Sequence, residues 1–203
     1  MASVFDGVAT ANIFDVAKYI LEKCGEMPAR KLHILCYYAQ ALNLALEGFP
    51  LFNEDFVHWD EGPVCRDLFK LHKGLYNVDA ELVKKYMLSE EGVTDDEQRN
   101  IDRILERYKS LSGVELSTLT HAEDPWKNTK KNQVIEKDVM EKYYSDVKDF
   151  VKEEYNDPYF KSQEFYDDLD KIIEEVKKDE ENGELICVDS FDTIEELNEK
   201  LGI

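Results

Sequence analysis

PARKLHILCYYAQALNLALE, residues 28–47, is the stretch that organises the rest of the chain. Its apolar residues do not keep to one stripe. Leu32, Ile34, Leu35, Cys36, Tyr38, Ala39, Leu42, Leu44, Ala45 and Leu46 run most of the way around a helix. Arg30, His33, Gln40, Asn43 and Glu47 recur at threes and sevens and share one narrow polar strip, with Tyr37 among them. A helix apolar on nearly every side belongs in the middle of a packed domain. Pro28 suits a first helical turn and Gly48 supplies a left-handed stop. The spacing predicts a mainly α, compact helical domain around a buried central helix, with minor short β-strands.

On the N-terminal side, Asn12 caps a helix through Cys24 whose face is Ile13, Val16, Ala17, Ile20, Leu21 and Cys24, and Gly25 ends it. On the C-terminal side comes FPLFNEDFVHWDEGPV, dense in aromatics. It reads as an ordered loop over 50–62 with short strands at 51–52 and 56–59, after which Pro63 opens a helix carrying Val64, Leu68 and Leu71. A short helix is expected over 80–87. Thr94-Asp95-Asp96-Glu97 is a capping box opening a helix with Ile101, Ile104, Leu105, Tyr108 and Leu111 inward. Ser112-Gly113-Val114-Glu115 repeats the box before a shorter helix with Leu116 and Leu119. Pro125 interrupts LTHAEDPW, and a further helix is expected over 137–155 with Val139, Tyr143, Val147, Phe150 and Val151 inward.

Asn156-Asp157-Pro158 marks a boundary, dividing a helical domain at 1–156 from an acidic C-terminal α(β)α extension at 157–203. In the extension Ser162 caps an amphipathic helix, Asn182-Gly183 turns into the short strand LICV, and Asp192-Thr193-Ile194-Glu195 caps a last helix.

The 203 residues carry 45 acids against 25 bases, a net charge of −20. Residues 131–203 hold 23 of the acids and 10 of the bases, so the excess lies toward the C-terminus. This balance argues against binding a nucleic-acid backbone, which needs clustered Lys and Arg. It suits a basic protein partner, or simply solubility. Cys24, Cys36, Cys65 and Cys187 are scattered, without a CxxC, which points to a reducing cytosol. No apolar run is long enough to span a bilayer and no signal pattern opens the chain, so the expectation is a cytoplasmic protein with no membrane contact.

The chemistry-bearing residues are sparse. His58, Cys65 and His72 are evenly spaced, but on one helix Cys65 and His72 would stand roughly 10 Å apart. One zinc ion needs its ligands about 2.0–2.3 Å away, so no metal site is expected. His33, on the polar strip, reads as a hydrogen-bonded structural residue. His121 with Glu123, Asp124 and Trp126 could form an acid/base cluster, but nothing nearby supplies a nucleophile or an oxyanion hole. His121 and Trp126 read more simply as locking their loop to the core. The chain has no phosphate loop, G-x-S-x-G or H-E-x-x-H, so no catalytic residue and no cofactor is expected.

Five segments occur in a recognisable order: A-K-Y-I at 17–20, K-L-H-I-L-C-Y-Y-A-Q at 31–40, P-L-F at 50–52, W-D-E-G-P-V at 59–64 and L-T-H-A-E-D-P-W at 119–126. Over about residues 13–155 they resemble the Panacea domain, the SocA-like antitoxin family also seen in phage-associated proteins. The residues that carry over are Tyr37, Tyr38 and Gln40; Trp59, Gly62, Pro63 and Val64; and His121, Pro125 and Trp126. Gly62 and Pro63 read as turn and helix-start residues, and Trp126 as buried.

The resemblance implies a helical antitoxin that neutralises a cognate toxin by direct contact, and a basic toxin would suit the acidic surface. Two contact surfaces are candidates. One is the aromatic loop with Phe52, Phe56 and Trp59, whose alternative is burial on the central helix. The other is Leu185, Ile186 and Val188, as a strand adding to a partner's sheet, whose alternative is pairing with residues 56–59. Other readings are a proteolytic adaptor delivering a toxin to an AAA+ protease and a phage-encoded protein that interferes with host defence. DNA mimicry by the acidic helices and a hydrolase around His121 are further alternatives.

Overall fold

The computed structural model describes residues 9, 11–87, 92–147 and 150–151. In chain order its elements are α1 (Ile13–Cys24), β1 (Met27–Pro28), α2 (Ala29–Glu47), β2 (Phe56–Trp59), β3 (Gly62–Cys65), α3 (Arg66–His72), β4 (Asn77–Val78) and α4 (Ala80–Lys84). They continue with α5 (Asp95–Tyr108), α6 (Gly113–Ala122), α7 (Asp124–Lys127), β5 (Val134–Ile135) and α8 (Lys137–Asp146). The domain is mainly α, with its small sheets antiparallel: β1 pairs with β4, and β3-β2-β5 form a second sheet.

The central position of α2 follows from its all-round apolar surface. Every residue from Leu32 to Leu44 is buried, and α1, α5, α6, α8 and β3 surround the helix. It ends where Gly48 takes a left-handed conformation (φ 71°, ψ 13°) and returns its N–H to the Leu44 carbonyl. Asn12, Thr94 and Ser112 each close a reciprocal capping box, at α1, α5 and α6. The predicted inward faces of α1 and α5 lie in the core, with Ile13, Val16, Ala17 and Ile20 at 0 % exposure.

Four local expectations are corrected. Pro63 does not open a helix. Residues 62–65 form β3, opposite His58 at Pro63 and Trp59 at Gly62 across a two-residue turn, and the helix begins at Arg66. Proline is compatible with an edge strand, and β3 is on the edge. Residues 51–52 are bends rather than a strand. The helix expected over 80–87 is only Ala80–Lys84, and the one over 137–155 stops at Asp146. There Val147 turns to extended geometry and the Phe150 N–H reaches the Val147 carbonyl, which brings Phe150 back onto Tyr38 and Tyr144 at 4 % exposure. Burying that ring outweighs another turn of helix. The inward residues of α8 are consequently Met140 and Tyr144, with Val139 exposed. The readings made for residues 157–203, the LICV strand among them, lie outside the described residues.

Candidate functional site

The turn between β2 and β3 is Asp60–Glu61, and it is where the separated sequence segments converge. Both carboxylates are nearly buried, at 6 % and 7 % exposure, which requires a countercharge for each. Lys131, from the loop before β5, reaches Asp60 at 2.7 Å, and Arg30, from the first turn of α2, pairs with Glu61. Ser117 of α6 donates its hydroxyl proton to the Glu61 carbonyl at 2.6 Å. Gly62 follows with φ +121°, and a Cβ there would meet Ile34 and Thr120 at 3.4 Å. Only glycine occupies such a position without strain.

Beside the turn, Trp126 of α7 is stacked between two imidazoles. The His58 ring lies at 3.8 Å between centroids and the His121 ring at 3.9 Å. The Trp126 indole N–H points to the Trp59 carbonyl at 3.3 Å. His58 Nδ1 lies 2.7 Å from the Thr129 carbonyl, so that nitrogen carries the proton and donates it. Burial lowers the pKa of both imidazoles, that of His121 to about 4. The stack is therefore neutral at neutral pH. Ser117 Oγ is 3.4 Å from His121 Nε2, but its proton is already committed to the Glu61 carbonyl. This is not an activated nucleophile.

Two further networks bind the site to the core. The carboxylate of Glu123, between α6 and α7, accepts hydroxyl protons from Tyr144 at 2.6 Å and Tyr38 at 3.1 Å. The Tyr37 hydroxyl lies 3.4 Å from that of Tyr144. Desolvation raises Glu123 to about 7 in spite of these bonds, and it drives all three tyrosines well above 10. One carboxylate oxygen thus joins α2, α8 and the α6–α7 junction.

The second network is the polar strip of α2. From His33 to Asn43 it faces inward, toward the chain between α2 and α3 and toward α5, while Glu47 is exposed. Gln40 accepts from the Leu51 N–H at 2.7 Å and the Phe52 N–H at 3.3 Å, and donates to the Phe52 carbonyl at 2.8 Å. Asn43 donates to the Phe49 carbonyl and accepts from Asn100. His33 Nδ1 accepts the Cys65 N–H at 3.2 Å, so neutral His33 carries its proton on Nε2 and donates to His72 Nε2 at 2.8 Å. Burial lowers both histidines, His72 to about 4. A water-sized pocket of about 20 Å³ lies against this pair, with Arg30, Glu61 and Phe69 among its lining.

Most of the residues singled out by sequence are interior. Tyr37, Tyr38 and Gln40 are at 0 % exposure, Gly62, Pro63, Val64 and Pro125 are buried, and His121 and Trp126 are half-buried in the stack. Phe52, Phe56 and Trp59, one of the two candidate contact surfaces, are 0 %, 2 % and 5 % exposed, so the alternative of a loop buried on the central helix describes them. β2 is the middle strand of its sheet and has neighbours on both sides. Leu185, Ile186 and Val188 lie outside the described residues. Cys65 ends a strand instead of sharing a helix with His72, and among the described residues no three His, Cys, Asp or Glu side chains could hold a metal ion. Sequence reasoning misses Arg30, Ser117, Lys131 and Tyr144 as members of the site, and Glu123 as the acceptor of two tyrosines. The partners in these contacts stand 21 to 85 positions apart in no periodic pattern, and the local signal is limited to Glu61 beside Asp60 in a turn.

The W-D-E-G-P-V and T-H-A-E-D-P-W segments are therefore two halves of one structural joint, closed on the first turn of α2. Residues 34–127, a little under half of the chain, match the family described as antitoxin SocA-like, Panacea domain. That segment is similar to the Panacea domain. Comparison with curated proteins and with solved structures finds no match. The match is narrower than the resemblance over residues 13–155, leaving α1, with A-K-Y-I, outside it. Yet α1 and α8 pack directly on α2, so the Panacea-like segment is completed by elements on both sides. Among the described residues no helix is long and apolar enough to cross a membrane.

Proposed function

We propose that this protein is a cytoplasmic antitoxin that neutralises a cognate toxin by direct protein contact and performs no chemistry of its own. The observation that carries the reading is the match of residues 34–127 to the SocA-like Panacea domain. The geometry supports it indirectly. In and beside the two motifs, several polar groups are spent on the fold: Glu61 on Arg30, Ser117 on a carbonyl, Glu123 on two tyrosines and Trp126 on Trp59. A domain held together by internal bonds of this kind leaves its outer surface free to suit the partner. The net charge of −20 suits a basic toxin, toward which it would steer association.

Contact is assigned to the acidic extension, with Leu185, Ile186 and Val188 as its apolar residues. The test is co-expression with the neighbouring reading frame, using the full chain and a chain lacking residues 157–203. The expected result is a frame that is toxic alone, harmless beside the full chain and toxic again beside the truncated one. Full protection by the truncated chain would move the contact onto the Panacea-like domain. A frame that is not toxic would overturn the antitoxin reading. Protection that requires a AAA+ protease would assign the adaptor role instead.

A further inference from the structure

Asp60 and Glu61 each have a cation beside them, but Glu123 does not. Among the described residues its carboxylate meets the Tyr38 and Tyr144 hydroxyls, at 3.1 and 2.6 Å, and no Lys, Arg or His pairs with it. Glu123 immediately precedes α7, yet its side chain does not cap that helix. It turns to the seam between α2 and α8 instead. The groups facing it there are Tyr37 and Tyr38 of α2 and Tyr143 and Tyr144 of α8, with Asp124 next to it in the chain. Behind Tyr38, Tyr108 of α5 is stacked at 4.5 Å, and the Arg107 cation lies over the Tyr108 and Phe150 rings at 5.8 and 5.1 Å. α8 is held lightly: of its ten residues only Met140 and Tyr144 are buried, and Glu136 gives it no side-chain cap. Lys137 anchors its first turn to Asp55, so the end free to lift is the one carrying Tyr144.

We propose that Glu123 is a proton-operated latch: with its carboxyl protonated α8 stays seated on α2, and ionisation favours a state in which the Tyr144 end of α8 lifts and admits water. A carboxylate without a countercharge is solvated better by water than by two phenols. The phenols stay neutral, since burial and the nearby carboxylate hold Tyr37, Tyr38 and Tyr144 well above 10. Burial raises Glu123 from 4.5 to about 7, so the preference for the seated form is complete below pH 4.5 and is lost as the pH rises through 7. Lifting uncovers the face of α2 that carries Tyr37 and Tyr38, both at 0 % exposure when α8 is seated. His33, His58, His72 and His121 are all lowered by burial and so titrate in the opposite sense. Their bonds and ring contacts are with elements other than α8, so lifting α8 leaves them in place. The latch does not depend on the antitoxin reading.

Hydrogen exchange of the full chain tests this, comparing α8 with α1 after correction for the intrinsic effect of pH on amide exchange. Protection of α8 should fall by roughly 50- to 100-fold from about pH 5 to about pH 8 and level off there, the change that the shift of Glu123 entails. α1, with its inward face at 0 % exposure, reports opening of the whole domain, which also releases the four histidines. Its protection should instead rise from about pH 5 to 6.5. Glu123→Gln should hold the α8 profile flat. Tyr144→Phe keeps the ring but removes the shorter bond to the ionised carboxylate, so it should deepen the fall. Protection of α8 that does not fall, or that falls equally in Glu123→Gln, would overturn the proposal. So would α8 protection that follows α1 at every pH, because α8 would then open only with the domain. If Glu123→Gln does not fold, the contrast between α8 and α1 in the unaltered chain decides, and a Tyr144→Phe profile no deeper than that of the unaltered chain overturns the latch equally.

Discussion

At the scale of single residues, the molecule holds buried ionisable groups whose protonation states oppose one another. Glu123 is raised by burial from 4.5 to about 7. Its contribution to stability is therefore fully present below pH 4.5 and is lost as the pH rises through 7. His72 and His121 are lowered by burial to about 4 from 6.5, so their contributions are present above pH 6.5 and are lost as the pH falls toward 4. Glu123→Gln removes only the first of these. Measured by urea denaturation, that variant should gain on the unaltered protein by about 2–3 kcal/mol between about pH 4.5 and 8.5, at about 1.36 kcal/mol per pKa unit. A difference constant across that range would mean Glu123 titrates normally. Gln40→Leu is the second residue-scale test, because one side chain satisfies three buried backbone groups at Leu51 and Phe52. Its expected cost is roughly 3 kcal/mol, and a loss under about 1 kcal/mol would show that these groups find other partners.

At the scale of elements, the turn between β2 and β3 depends on one backbone conformation. Gly62→Ala places a methyl at φ +121° and 3.4 Å from Ile34 and Thr120. The strain should lower stability by about 1–3 kcal/mol in thermal unfolding, and an unchanged midpoint would show that the hairpin tolerates an ordinary residue there. The elements best read from sequence are those with local causes. Capping boxes at Asn12, Thr94 and Ser112 each lie within a single turn, and the all-round apolar surface of α2 is visible in its own residues. Those read poorly have distant causes. Pro63 has the local look of a helix start, but pairing with His58 makes it a strand. Nothing between residues 137 and 155 announces that Phe150 turns back onto Tyr38, far earlier in the chain. The joint at Asp60–Glu61 is legible in the sequence only as two motifs. That they meet, and that Arg30 and Lys131 neutralise it, is a property of the tertiary fold.

At the scale of the whole molecule, an internally bonded helical domain, similar to the Panacea domain over residues 34–127, carries a strongly acidic C-terminal sequence. If that charge guides the toxin, the association rate should fall steeply as ionic strength rises, by about ten-fold or more for a strongly steered encounter. A rate indifferent to salt would remove electrostatic steering and leave direct contact standing. Direct contact itself is tested most plainly by stoichiometry. Purified protein should be titrated into a fixed amount of the product of the neighbouring reading frame, the proposed toxin, with no protease present, and its residual activity followed. The account predicts a linear fall that reaches zero at a fixed, near-equimolar ratio. Complete neutralisation at a small fraction of that ratio, through turnover by the protein, would contradict it.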